Sequence, residues 1–187
     1  LAVGLIQQGS GSQAIGWITL LGLLTVLGLT FTAEDGRELF GGSFVQDSLA
    51  LFAKRLFLGS AVLSVLGSLT LRQGAFRRRV GEYHFALLVS LIGMLVLASA
   101  RDLVLLFVAF ELMSIPLYLL TGFRKKEGQA PEAALKFFLI GTTSAAVIGY
   151  GMSFIYGGTG TTALAAIPDA LAAGSVLVQL GMALLLA

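Results

Sequence analysis

Long uninterrupted apolar runs constrain this chain most. Between Asp102 and Thr121 the sequence holds 20 residues with one ionisable side chain inside them, Glu111, and a proline at position 116. Such a run crosses a hydrocarbon core as a single helix. Runs of similar length recur along all 187 residues, of which 57% are apolar and 12% charged, about half the charged share of an ordinary soluble domain. The expected fold class is an all-α polytopic membrane protein, a bundle of transmembrane helices with no soluble domain and no strand pattern. The expected segments are 1–6 (partial), 14–31, 47–71, 83–100, 102–122, 131–156 and 170–187 (partial), forming one transmembrane domain. Both ends read as cut through apolar segments, and the N-terminal one lacks the basic flank of a signal peptide.

The charges orient these segments. Loop 72–82 carries Arg72, Arg77, Arg78 and Arg79 against Glu82, and loop 123–130 carries Arg124, Lys125 and Lys126 against Glu127. By the positive-inside rule both are cytoplasmic, and the two segments between them return the chain to the same side. The acidic loop 32–46, the Arg101–Asp102 turn and the glycine-rich loop 157–168 then lie outside. A net charge of +2 gives no reason to expect a nucleic-acid partner. With no cysteine and one histidine, the chain offers no thiolate for a cluster and no ligand set for haem or zinc, so no cofactor is expected on it. Gly157-Gly158-Thr159-Gly160 is not followed by Lys-Ser/Thr and does not read as a phosphate loop.

Glu111 is the first candidate for chemistry. It lies roughly 14 Å along its segment, close to the midplane. A carboxyl group there costs several kcal/mol unless water, a partner or protonation relieves it. Ser114, Tyr118 and Thr121 follow it on one helical face, a polar stripe leading to the cytoplasmic end. Pro116 frees a carbonyl near Leu112. The competing reading is a carboxyl that only holds the bundle together. Lys136 is the second candidate. It sits about 8 Å into its segment, with Glu132 one turn before it and Thr143 and Tyr150 continuing its face. Snorkelling to the interface is its alternative. Glu111 and Lys136 are expected to couple, directly if the helices tilt and otherwise through water, as a proton relay.

Other residues read as structural. Lys54 and Arg55 are expected to snorkel, to face a partner or to pair with Asp47; His84 reads as interfacial; Trp17 and Tyr83 fit aromatic anchors. Gly59, Ser60, Ser64, Gly67 and Ser68, and separately Gly141, Ala145 and Gly149, form small-residue seams suited to close helix contact.

Phe110-Glu111-Leu-Met-Ser-Ile-Pro-Leu-Tyr118, a basic loop, and Pro131-Glu132-Ala-Ala-Leu-Lys136-Phe-Phe-Leu139 together resemble the antiporter-like membrane subunits of respiratory complex I. Within that group the chain is most similar to the subunit N type of bacterial NADH:quinone oxidoreductase. Asp47 to Phe57 is similar in style to that type's third helix, and the resemblance runs from about Phe44 to Tyr156. It implies about fourteen helices in two inverted halves, of which this chain would be the first part. Glu111 matches the family's glutamate on its fifth helix and Lys136 a lysine on its sixth. A further lysine in a broken seventh helix would lie beyond Ala187. The implied function is proton translocation coupled to electron transfer elsewhere in the complex. NADH, flavin, Fe–S clusters and quinone are then expected in other subunits. The implied partners are other membrane subunits, the lipid bilayer, protons and internal water, and the implied location is the inner (plasma) membrane of a bacterium. A multisubunit cation/proton antiporter, a related membrane hydrogenase and a structural scaffold are the alternatives.

Overall fold

The computed structural model describes residues 11–70, 79–124 and 128–186. The expected segment 1–6, most of the basic loop 72–82 and Lys125 to Glu127 lie outside the described residues. The chain forms α1 (Gly11–Leu29), a hairpin of β1 (Arg37–Leu39) and β2 (Phe44–Gln46), α2 (Ser48–Thr70), α3 (Val80–Leu97), α4 (Leu103–Thr121), α5 (Gln129–Thr159), α6 (Ile167–Ala172) and α7 (Val176–Leu186). Among the described residues, α2, α3, α4 and α5 are long and apolar enough to cross a membrane, and 14–29 and α7 are shorter apolar helices. Large apolar side chains on their outer faces, such as Phe52, Leu63, Leu119 and Ile140, are exposed, as suits helices solvated by lipid or by further protein.

Successive helices pack as antiparallel neighbours. Leu20 and Leu23 of α1, Leu58, Ala61 and Val65 of α2 and Leu91 of α3 form one buried cluster. The start of α4 (Leu103), α5 (Ile155), α6 (Ile167) and α7 (Val178) form a second. Glycine permits the two closest approaches. A Cβ on Gly93 of α3 would stand 2.4 Å from the Met113 amide nitrogen and 2.8 Å from the Ala109 carbonyl of α4. Gly151 of α5 and Gly181 of α7 each sit against the other's carbonyl, at 2.8 and 2.6 Å from where a Cβ would be. The seam expected on α2 does not work this way, since nothing lies within 4 Å of the positions a Cβ would take on Gly59 and Gly67.

The hairpin departs from the expectation of no strands. Arg37 pairs with Gln46 and Leu39 with Phe44. Phe40, Gly41 and Gly42 turn it with φ of 53, 65 and 87°; two of the three left-handed positions are glycines, which adopt them without a Cβ penalty. Alternation over three residues a side is too short a signal to stand out beside 20-residue apolar runs. The hairpin is held by its neighbours: Val45 N–H donates to the Ser99 carbonyl at 2.9 Å and Arg101 N–H to the Ser43 carbonyl at 2.8 Å. On the other side of that turn, Leu103 N–H donates to Thr162 and Leu164 N–H to Arg101, at 2.8 and 3.0 Å. Loops 32–47, 98–102 and 160–166 are therefore stitched together at one end of the bundle. The last apolar stretch is also more broken than a single segment from Ala170: α6 and α7 are separated by a turn with Gly174 at φ 76°.

Candidate functional site

Asp102 starts α4. Its Oδ1 accepts from the amides of Val104 and Leu105 at 2.9 and 3.2 Å, and its Oδ2 accepts from the Thr162 hydroxyl. This cap satisfies two of the amides that a helix start leaves without partners. Nine residues on, in the middle of the helix, stands Glu111. Its side chain is half-buried, and Oε1 is wholly buried with no hydrogen-bond partner among the described residues. The stripe beside it is present but turned inward. Ser114 Oγ donates to the Phe110 carbonyl at 2.8 Å and Thr121 Oγ1 to the Leu117 carbonyl at 2.9 Å, so neither hydroxyl serves the carboxyl group. Back-bonding of this kind is the ordinary resting state of a hydroxyl on an apolar helix.

Two neighbours set the direction in which Glu111 points. α3 grips α4 through Gly93, against Ala109 and Met113, and through Ser90, whose Oγ donates to the Met113 carbonyl at 2.9 Å. At about 100° per residue, Glu111 stands roughly 180° around the helix from that face. Tyr118 shares its side, and Tyr118 is the contact to α5: its ring meets Phe137 and Phe138 edge-on at 4.8 and 5.9 Å, and its hydroxyl covers Gly141. Glu111 thus belongs to the α5 side of α4, two turns from Tyr118 toward the bundle middle.

Lys136 does not meet it. α5 turns Ala134, Phe137, Phe138 and Gly141 toward α4, and Lys136 lies about 150° around from their mean direction. Its Nζ is 2.6 Å from Glu132 Oε1, an i,i+4 pair with side chains 70% and 64% exposed. Thr143 Oγ1 is bonded back to Leu139 at 2.8 Å and is exposed, as is Tyr150. Lys136, Thr143 and Tyr150 therefore line a face of α5 that nothing in the described residues covers. The two candidates occupy opposite sides of α5. Lys136 pairs with Glu132 instead, and the thickness of α5 stands between it and Glu111. Spacing along two helices sets depth but not rotation, and rotation is what separates them.

Four other polar residues take places that spacing did not predict. Lys54 is 8% exposed; its Nζ lies 3.2 Å from Gln46 Oε1 and 4.8 Å from the Phe44 ring centroid, beneath the hairpin. Asp47, the partner expected for it, instead caps α2 through the Ala50 amide at 2.7 Å and pairs with Arg101. Those two contacts, the amide first, hold its carboxyl below the usual carboxylate range against an opposing desolvation. Arg55 donates to the Thr30 carbonyl at 2.9 Å and stacks on Phe31, tying α2 to the end of α1. His84, near the start of α3, is buried, 3% exposed, between α1, α2 and α3. The alternating loop residues around Phe44 and the Ser68 spacing were the only sequence signs of these sites.

A model of the transmembrane family described as NADH:quinone oxidoreductase/Mrp antiporter matches residues 100–187, the stretch that holds both Glu111 and Lys136. NADH-quinone oxidoreductase subunit N 2 of Rhizobium meliloti is 37% identical over 177 residues, covering 93% of this chain and 36% of the relative. F(420)H(2) dehydrogenase subunit N of Methanosarcina mazei is 34% identical over 173 residues, covering 88% of this chain and 35% of that protein. Among solved structures, a chain of respiratory complex I from Thermus thermophilus superposes with a TM-score of 0.74 at 34% identity, covering 94% of this chain and 37% of its own length. A chain of an archaeal membrane-bound sulfane sulfur reductase does so at 0.78 with 21% identity, a likeness of fold alone. The chain spans about a third of the length of these relatives. With its helical bundle it is a homologue of the antiporter-like membrane subunits of NADH:quinone oxidoreductase, subunit N among them.

Proposed function

We propose that this chain is part of a proton-translocating membrane subunit in which Glu111 is the titrating group at the membrane midplane. One observation carries the reading: a carboxylate oxygen buried without a hydrogen-bond partner in the middle of a membrane-length apolar helix. A carboxyl group at membrane depth is costly unless water, a partner or a proton relieves it, and such acids are functional candidates by default. The charge state of Glu111 therefore answers to any charge that changes nearby. Electron transfer belongs to other subunits of the assembly, which would hold NADH, flavin, Fe–S clusters and quinone. Their reduction would change the charge next to Glu111, and Glu111 would pass the change on by taking or releasing a proton. Lys136 is the second station, on the far side of α5, where the rest of the full-length subunit would cover it. The coupling between them is then electrostatic, across a low-dielectric helix, with water completing the path. The basic loops 72–82 and 123–130 would face the cytoplasm of a bacterial inner membrane, and protons would move from that side to the stitched loops at the other.

The test is Glu111→Gln and Glu111→Ala in the full-length subunit within its assembled complex. Protons moved per electron are expected to fall while assembly and electron transfer from NADH persist. Pumping at the parental stoichiometry in both variants would sink the role and leave a scaffold. A second reading, cation/proton exchange, draws on the family description, which joins oxidoreductase and antiporter. Transport that depends on sodium and proceeds without NADH oxidation would favour it.

A further inference from the structure

We propose that His84 and Ser68 form a proton-binding site at the junction of α1, α2 and α3, separate from Glu111. The ring of His84 is almost wholly enclosed. Gly16 of α1 packs beside it, the position a Cβ would take lying 3.8 Å from Nε2, in ordinary contact. Tyr83 meets it edge-on at 5.4 Å. Both ring nitrogens are engaged. Nδ1 lies 2.8 Å from the Val80 carbonyl, which can only accept, so Nδ1 carries a hydrogen. Nε2 lies 3.3 Å from Ser68 Oγ.

Ser68 makes the site two-sided. Its hydroxyl has one hydrogen and two acceptors in reach, the Val65 carbonyl at 2.6 Å and Nε2. When the hydroxyl donates to Val65, its lone pairs face Nε2, which then suits a second ring proton donated to Oγ. When the hydroxyl rotates to Nε2, the ring is neutral and still fully bonded. Both protonation states thus keep both ring nitrogens hydrogen-bonded, and the change between them moves one hydroxyl hydrogen, at the expense of the Ser68–Val65 bond, and no helix. The Val65 carbonyl loses only a supplementary bond, since such serine back-bonding adds to the helix ladder.

Among the described residues, the charged groups on the surrounding elements are few. Residues 14–29 of α1 hold no charged side chain. The charged groups of α2 are Lys54 and Arg55, engaged near its opposite end with Gln46 and Thr30. α3 contributes Glu82 and Tyr83 beside the ring and Arg79 just before it; α4 contributes Glu111, on the face away from α3, and Arg124 follows α4. The site therefore stands whether or not Glu111 carries transport.

The experiment is an infrared pH titration of the full-length protein in its native membrane complex with ring-labelled histidine. Subtracting H84Q from the parent isolates the bands of His84. A conversion from imidazole to imidazolium on acidification is expected. S68A, which removes the acceptor of the Nε2 proton, is expected to move the midpoint down by about one pH unit, and S68T to restore it. A ring that stays neutral throughout, or a midpoint unmoved in S68A, overturns the proposal. If H84Q does not assemble, the parent-minus-S68A spectrum gives the same readout, and no shift there is equally fatal. The titration repeated in the Glu111→Gln complex separates the two ideas, because His84 should titrate there whatever happens to pumping.

Discussion

Glu111 and Lys136 look alike as lone charges in apolar sequence, yet the chain treats them differently. Glu111 has a buried oxygen with nothing bonded to it. Lys136 has an exposed partner one turn away in Glu132, a pair that contributes only about 0.3–0.5 kcal/mol to a helix. That pair therefore adds little to the stability of α5, and the proposed role of Lys136 draws on the exposed face it presents. In the assembled complex, Lys136→Ala is expected to lower coupled turnover several-fold more than Lys136→Arg, measured as NADH-driven proton uptake into vesicles. Equal losses would make it a structural cation, as snorkelling would have it. Ser114, Tyr118 and Thr143 are legible as polar residues at helical spacing, but their partners are not. Two are bonded to their own helix, and Tyr118 serves as the α4–α5 spacer.

At the scale of elements, the orientation of Glu111 depends on how α3 seats against α4. Gly93 permits that seat and Ser90 pins it. Gly93→Ala would drive a methyl group into the Met113 backbone, and either α4 shifts or the contact opens. Overpacking of this kind costs about 1–3 kcal/mol, so lower resistance to thermal or chaotrope unfolding in detergent is expected. Gly22→Ala, with open space around it, is the control and should leave stability unchanged or slightly raised through helix propensity. A tolerant Gly93 would mean the α3–α4 contact is loose. Pro116, five residues past Glu111, lacks the amide that would bond the Leu112 carbonyl, next to the Met113 carbonyl that Ser90 holds.

Across the whole molecule, loops 32–47, 98–102 and 160–166 tie one end of the bundle together. At the tied end Asp47 is shared between the α2 start and Arg101, in the turn before the Glu111 helix. Its carboxyl is depressed by the Ala50 amide and then by Arg101. A group whose folded value lies below its unfolded one stabilises the fold above the ordinary carboxylate range, about 4, and loses that contribution as pH falls through the folded value. Stability of the parent should therefore drop below about pH 4 by more than that of Asp47→Asn, read as apparent melting temperature against pH. Parallel curves would mean the contact is inert. Both partners are partly exposed, so the effect is also expected to shrink with salt.

What the sequence determined by itself was the material: apolar runs of membrane length, a midplane acid followed by a proline, basic loops on alternate connections, and the residues by which the chain resembles its relatives. Those properties are local, since a 20-residue run buries its own backbone polar groups as a helix whatever surrounds it. Tertiary structure alone decided rotation and partnership. It turned Glu111 toward α5 and Lys136 away from α4, gave Asp47 to Arg101 rather than Lys54, buried His84 against Ser68, and folded ten loop residues into a hairpin. A helix of apolar residues on every side has no amphipathic stripe to announce its buried face. In this bundle that face was chosen by close contacts at Gly93, Gly141, Gly151 and Gly181, which depend on pairs of positions far apart in the chain.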